Sequence, residues 1–153
     1  MDFLSNTDWS FPIPIYYGPN RIKELPDLCK RNNLKRPLIV TDKGSATLPF
    51  INDLLKDLNN SHIKCNLFSE ISPNPLDKEI NSGKLAFKNG SHDSIIAIGG
   101  GSGMDGGKAI SLIANNSQGL WEFDYDKPPI TKLNNFPPLI CIPTTAGTGA
   151  ETE

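Results

Sequence analysis

The chain has 153 residues, 37% hydrophobic and 21% charged, enough for one globular domain and too apolar for a disordered one. Its 15 Lys and Arg against 17 Asp and Glu give a net charge of -2, so the basic face that a nucleic-acid backbone demands is not expected. Cysteines at 29, 65 and 141 are odd in number and form no CxxC, which speaks against a disulfide framework or zinc ribbon and for a reducing, cytoplasmic setting. Apolar runs are too short to span a membrane, and the acidic, proline-interrupted amino terminus does not read as a signal peptide.

Residues 13–17 are apolar but carry Pro14 and follow Pro12, so they read as an edge strand at most. Asn20 is placed to cap a helix over 21–31, which Pro26 should break or kink. PLIVTD at 37–42 has the pattern of a buried parallel strand that ends on an acid. Apolar residues at 50, 51, 54, 55 and 58 predict a helix over 49–59, and 64–68 a short strand. The helix predicted over 77–88 contains Gly83, which costs it about 1 kcal/mol against alanine. SIIAI at 94–98 is the next strand, followed by GGGSG at 99–103 and an apolar helix over 104–114. Residues 115–138 hold two Pro-Pro pairs and no strong period, a long loop of the kind that is functional or mobile. Trp121, Phe123 and Tyr125 within it are read as packing residues. LICI at 139–142 is the last strand, before PTTAGTGAE at 143–151.

Strands thus alternate with helices, which predicts an α/β fold: a Rossmann-like, mostly parallel sheet with helices on both faces. Ligands of such sheets sit beyond the carboxyl ends of the strands. Asp42, the glycines at 99–103 and the turn from Thr144 to Gly149 all fall at such ends, which points to one shared site.

GSGMDG at 101–106 satisfies GxGxxG between a strand and a helix, where backbone N–H groups can approach a phosphate. A tight turn without a ligand is the alternative. A P-loop fails: aligned on Gly107 and Lys108, it puts Ser102 at the first glycine and Ala109 at the magnesium-binding hydroxyl. The standard dinucleotide fingerprint has its ribose-binding acid about 20 residues after the glycines. That count lands near Glu122, Asp124 and Asp126, with no strand before them. Asp42 does end a strand but lies far upstream, so the parts of a dinucleotide site would come in another chain order.

Four stretches carry a resemblance: LIVTD at 38–42, SPNP at 72–75, IAIGGGS at 96–102 with Asp105 and Lys108, and IPTTAGTGAE at 142–151. In these, and in their order, the chain resembles the iron-type (group III) alcohol dehydrogenases across nearly its whole length. The last stretch is the most specific, since glycerol dehydrogenases and dehydroquinate synthases also have GGG loops followed by Asp and Lys. Gly103, Gly106 and Gly107 stand where that family often has bulkier or alanine-like residues, and Ala150 where it commonly has serine.

The resemblance implies a two-domain enzyme: a dehydroquinate synthase-like nucleotide domain, here residues 1–153, and a C-terminal helical domain holding iron or zinc. The family's metal ligands, an aspartate and three histidines, lie beyond the TTAGTG stretch. This chain has only His62 and His92, neither in a matching motif and both expected at the surface. The segment is therefore expected to be the cofactor half of a longer protein, inactive alone. The whole would pass hydride between NAD, or less readily NADP, and a small alcohol or aldehyde, as a homo-oligomer. A glycerol dehydrogenase-like or dehydroquinate synthase-like relative, and a nucleotide-binding module without chemistry, are the alternatives.

No catalytic residue and no metal ligand is assigned within the chain. Asp42 is expected to accept hydrogen bonds from the adenosine ribose hydroxyls and to repel a 2′-phosphate, with Lys43 partly neutralising it. Asn74, between two prolines, either contacts the ribose or adenine region or closes an Asx-turn. Gly100, Gly101 and Ser102 are the pyrophosphate candidates through their N–H groups, with Ser102 also able to cap the helix. Asp105 is placed in the first helical turn, in a structural role or, by resemblance, near the nicotinamide ribose. Lys108 would offset charge or pair with Asp105. Thr144, Thr145 and Thr148 offer hydroxyls suited to a ribose or an amide.

Overall fold

The computed structural model describes residues 7–10, 13–147 and 149–152. Strands β1 (Thr7–Ser10) and β2 (Pro14–Tyr17) pair antiparallel in a small sheet of their own. Asn20 is left-handed, with φ 60°, and makes no side-chain cap; a 3-10 turn, Arg21–Glu24, follows it. The α-helix begins only at α1 (Leu25–Arg31), with Pro26 in its first turn. Proline there lacks only an N–H that would have no intrahelical partner, so the expected break falls between the two helical segments.

The main sheet contains β3 (Pro37–Asp42), β4 (Asn66–Ile71), β5 (Ser94–Gly99) and β6 (Leu139–Pro143). All its pairings are parallel, in the order β4-β3-β5-β6. Helices α2 (Pro49–Asn60), α3 (Asp77–Asn89) and α4 (Gly101–Ala114) complete the alternation. β4 starts later than expected and runs to Ile71, because residues before it are spent on closing α2 and on a bond from the Lys64 N–H to the Lys35 carbonyl (3.0 Å).

Side chains alternate across the two buried central strands. Ile39, Ile96 and Ile98 pack with Leu25 and Cys29 of α1 and with Ile51, Leu54 and Leu58 of α2. Leu38, Val40 and Ile95 face the other way, onto Ile80 and Phe87 of α3 and Ile110 and Ile113 of α4. Both faces are therefore covered, and each such side chain contributes about 1.5–3 kcal/mol by burial. Glycines permit the closest approaches on the second face. A Cβ at Gly83 would lie 2.2 Å from Ile110 Cδ1, and one at Gly107 would lie 2.4 Å from the Ala97 Cβ. The helix-weakening Gly83 is thus the contact point of α3 with α4. Gly103 joins Gly106 and Gly107 in α4 rather than ending a loop.

Helices α1, α2 and α3 end alike. Asn33, His62 and Ser91 are left-handed, with φ 57°, 63° and 50°. The next N–H, on Leu34, Ile63 or His92, reaches back to the carbonyl of Cys29, Leu58 or Phe87 at 2.8, 3.0 and 3.0 Å. This is the Schellman closure, and it tucks each following side chain under its helix. His92 is consequently 8% exposed, correcting the surface expectation, while His62 is exposed.

The His92 Nδ1 lies 2.8 Å from the Arg36 carbonyl, which accepts a bond only if Nδ1 carries the proton. Next to it, the Asp93 carboxylate accepts from the N–H groups of Lys35 (2.9 Å) and Arg36 (3.0 Å) and from the Ser94 hydroxyl (2.8 Å). Burial pushes the Asp93 carboxyl up, but these bonds and the Arg36 charge hold it below its ordinary value. The amino ends of β3 and β5 are clamped together in this way.

The long loop is tied at its neck: Asn134 donates to the Asn115 carbonyl (2.6 Å) and, through its N–H, to the Asn116 side chain (2.8 Å). Of Trp121, Phe123 and Tyr125 only Phe123 packs, sharing a 3-10 turn with Leu120 against the α3–α4 side. Trp121 and Tyr125 are exposed, which corrects their reading as packing residues. The three cysteines are free thiols; burial pushes that of Cys29 up to about 11 and also raises Cys65 and Cys141. Among the described residues no helix is long and apolar enough to cross a membrane.

Candidate functional site

The carboxyl ends of β3, β5 and β6 open onto one cleft of about 260 Å³. Six of the expected residues line it: Asp42, Gly100, Gly101, Ser102, Thr144 and Thr145. Ser45 and Pro73 line it as well; Pro73 belongs to the SPNP stretch, and Ser45 was not singled out from the sequence. Thr148 lies outside the described residues.

β5 ends on Gly99, whose φ of 147° suits glycine alone and whose missing Cβ would lie 2.7 Å from Asp42 Oδ2. Gly100, extended, caps α4, and the helix starts at Gly101, three residues before the apolar pattern begins. Glycines at 101 and 103 have no side chains to show a period, so the start was invisible to periodicity. Ser102 is therefore a first-turn residue and not the cap. The first intrahelical N–H is that of Met104, bonded to the Gly100 carbonyl at 3.2 Å. The N–H groups of residues 101–103 precede it and are donors at the positive end of the helix. Asp105 consequently falls in the second turn, exposed, where the dipole argument no longer holds. Lys108 is half-buried one turn further on.

The Thr144 N–H donates to the Gly99 carbonyl (2.9 Å), which holds the loop after β6 over the end of β5. Thr144 and Thr145 are exposed on that loop. Asp42 is half-buried opposite them. Its Oδ1 accepts from the Ser45 N–H (2.8 Å) and its Oδ2 from the Ser45 hydroxyl (2.7 Å). Lys43 points its ammonium at Glu79 Oε1, 3.9 Å away.

Asn74 is left-handed, with φ 56°, and exposed, and among the described residues its side chain closes no Asx-turn. It stands beside the cleft, whose wall on that side is Pro73. The turn that carries both is held by Glu79, a buried carboxylate on α3. Its Oε2 accepts from the Ser72 hydroxyl (2.9 Å) and from the N–H groups of Leu76 (3.1 Å) and Ser72 (3.2 Å). The bond from Leu76 holds the Glu79 carboxyl below its ordinary value; burial opposes this, and the Ser72 bonds and the Lys43 charge add to it. A glutamate at the third position of a helix was a weak sequence signal, because Leu76 before it has no polar side chain to complete a capping box. D-x-x-S at 42–45 was a stronger one, the spacing of a local side-chain turn.

The donors at 101–103, a half-buried acid and two hydroxyls suit a dinucleotide: phosphate at the helix start, sugar hydroxyls at the acid. A metal ion does not fit in the same way. Among the described residues no group of three or more His, Cys, Asp or Glu side chains is placed to hold one.

The chain is similar to known proteins over nearly its whole length. The sequence profile of iron-containing alcohol dehydrogenases matches residues 12–153. The 1,3-propanediol dehydrogenase of Klebsiella pneumoniae is 32% identical over 146 residues, 94% of this chain and 37% of that protein. The NAD-dependent methanol dehydrogenase of Bacillus methanolicus is 30% identical over 150 residues, 95% of this chain and 38% of that protein. The crystal structure of sulfoacetaldehyde reductase from Bifidobacterium kashiwanohense in complex with NAD+ superposes with a TM-score of 0.78 at 26% identity, over 88% of this chain and 35% of that one. The chain thus spans little more than a third of the length of these relatives. With sequence, fold and the profile in agreement over nearly every residue, the chain belongs to the iron-containing alcohol dehydrogenase family.

Proposed function

We propose that residues 1–153 are the NAD-binding portion of a metal-dependent alcohol dehydrogenase or aldehyde reductase, a cytoplasmic homo-oligomer acting on a small alcohol or aldehyde. The observation that carries this reading is the convergence of Asp42, the Gly100–Ser102 backbone and Thr144–Thr145 on one cleft at the carboxyl end of a parallel sheet. Relatives named as NAD-dependent, or solved with NAD+, support the choice of cofactor.

In this reading the N–H groups at the start of α4 receive the pyrophosphate. Asp42 accepts from the ribose hydroxyls and rejects a 2′-phosphate by charge. Thr144 and Thr145 hold the nicotinamide ribose or carboxamide, with Asp105 near that ribose, Asn74 at the adenine side and Thr148 further along the threonine loop. Bound NAD supplies the hydride acceptor at nicotinamide C4. The iron or zinc implied by the family would be held by residues outside this sequence.

Calorimetric titration of the chain with NADH and NADPH tests the reading. NADH is expected to bind tighter. Asp42→Gly should cost about tenfold in NADH affinity, the scale of one hydrogen bond to a charged group, and narrow the gap to NADPH. Tighter binding of NADPH by the unaltered chain would overturn it.

A further inference from the structure

We propose that Ser45 is the positioning residue that presents the Asp42 carboxylate to the vicinal hydroxyls of an unphosphorylated ribose, and that this pairing sets the preference for NAD over NADP. The inference rests on the NAD reading above and adds the residue on which its selectivity depends.

A carboxylate has about four lone-pair directions, two on each oxygen. Ser45 uses one on each: its N–H at Oδ1 (2.8 Å) and its hydroxyl at Oδ2 (2.7 Å). One direction per oxygen is left, the number needed to accept one hydrogen bond from each of two neighbouring hydroxyls. Two bonds from one residue also fix the plane of the carboxylate, which a single bond would leave free to turn.

Packing closes the other sides. Cβ atoms built at Gly44, Gly99 and Gly103 would lie 3.2, 2.7 and 3.3 Å from the Asp42 oxygens, so backbone without side chains surrounds the group. What remains open is the cleft, lined by Asp42 and Ser45 together. The ammonium of the neighbouring Lys43 is turned toward Glu79, 3.9 Å away. The acid therefore faces the cleft in a set orientation. Binding then pays less for ordering it, and a 2′-phosphate meets a carboxylate that cannot swing aside.

Ser45→Ala removes only the hydroxyl bond and keeps the N–H bond, and Ser45→Thr restores a hydroxyl. Affinities for NADH and NADPH are measured by calorimetry for the unaltered chain, both Ser45 variants, Asp42→Gly, and Asp42→Gly combined with Ser45→Ala. Expected are a loss of about tenfold in NADH affinity for Ser45→Ala, little change for NADPH, and recovery in Ser45→Thr. In the Asp42→Gly background, Ser45→Ala should have no further effect on NADH. A Ser45 that merely closes a turn would weaken both cofactors alike, or would act equally with and without Asp42, and either result overturns the proposal. Unchanged NADH affinity in Ser45→Ala overturns it while the NAD reading stands. Failure of the unaltered chain to bind NADH overturns both.

Discussion

Glu79 sends one oxygen to three donors on the turn before α3 and its other oxygen toward Lys43, so one side chain ties β4, α3 and the end of β3 together. Its carboxyl, like that of Asp93, is held below its ordinary value in the fold. A depressed folded value means that the unfolded chain takes up these protons first as pH falls. The stability both groups contribute is therefore present above the ordinary carboxylate range and lost as pH drops through and below it. Thermal melts between about pH 7 and pH 3 should show this loss, with a shallower slope in Glu79→Gln, where the Asp93 contribution remains. An equal slope in that variant would count against the role given to Glu79. The acid at the end of β3 and the glycines after β5 were legible in the sequence because their place at strand ends declares them. Glu79 was not, since it acts through hydrogen bonds that only the folded turn brings into reach, and Ser45 left only the D-x-x-S spacing, which signals a local turn without saying that it orients the acid. His92 was misread for a similar reason: exposure statistics for histidine say nothing of a helix closure that pulls the following side chain inward.

The closures of α1, α2 and α3 place Asn33, His62 and Ser91 where glycine is the usual choice. Holding a non-glycine residue in the left-handed region costs about 1–2 kcal/mol, while glycine loses about 0.5–1 kcal/mol more entropy on folding. Ser91→Gly should therefore stabilise the chain by about 0.5–1 kcal/mol, read as a higher urea midpoint at unchanged slope. Asn33→Gly should gain less, because asparagine tolerates this conformation. A lowered midpoint in Ser91→Gly would refute the accounting. Elements with side-chain periods, such as α2 and α3, were read from the sequence almost to the residue. The start of α4 was not, because glycines at 101 and 103 carry no pattern.

Two apolar layers on opposite faces of a parallel sheet make a body that can fold around its own core. In the function proposed above, this body supplies only the cofactor side of a hydride transfer. With NADH at 100 times its dissociation constant, linkage stabilises the chain by about 2.7 kcal/mol, or roughly 5–10 °C in melting temperature at this size. The chain should show that shift and yet reduce no aldehyde with NADH, with or without added iron or zinc. Turnover by residues 1–153 after chelator treatment would refute this. The parallel sheet and its two helical faces were legible from the alternation of strand and helix. The strand order was not, since alternation alone does not say that β3 pairs with both β4 and β5.

The clamp at the amino ends of that sheet has a kinetic meaning. Asp93 binds the N–H of Arg36 from 57 positions away, at the point where β3 and β5 begin to run side by side. Parallel strands cannot zip outward from a tight turn, and contacts so distant along the chain make for slow folding through a transition state with a large loop already closed. A carboxylate that seizes consecutive N–H groups at the mouth of the pair gives the search a fixed origin. From there each further residue of β5 should meet its partner in β3 in order, and a slip by one, which would turn both apolar faces inside out, should be disfavoured from the first step.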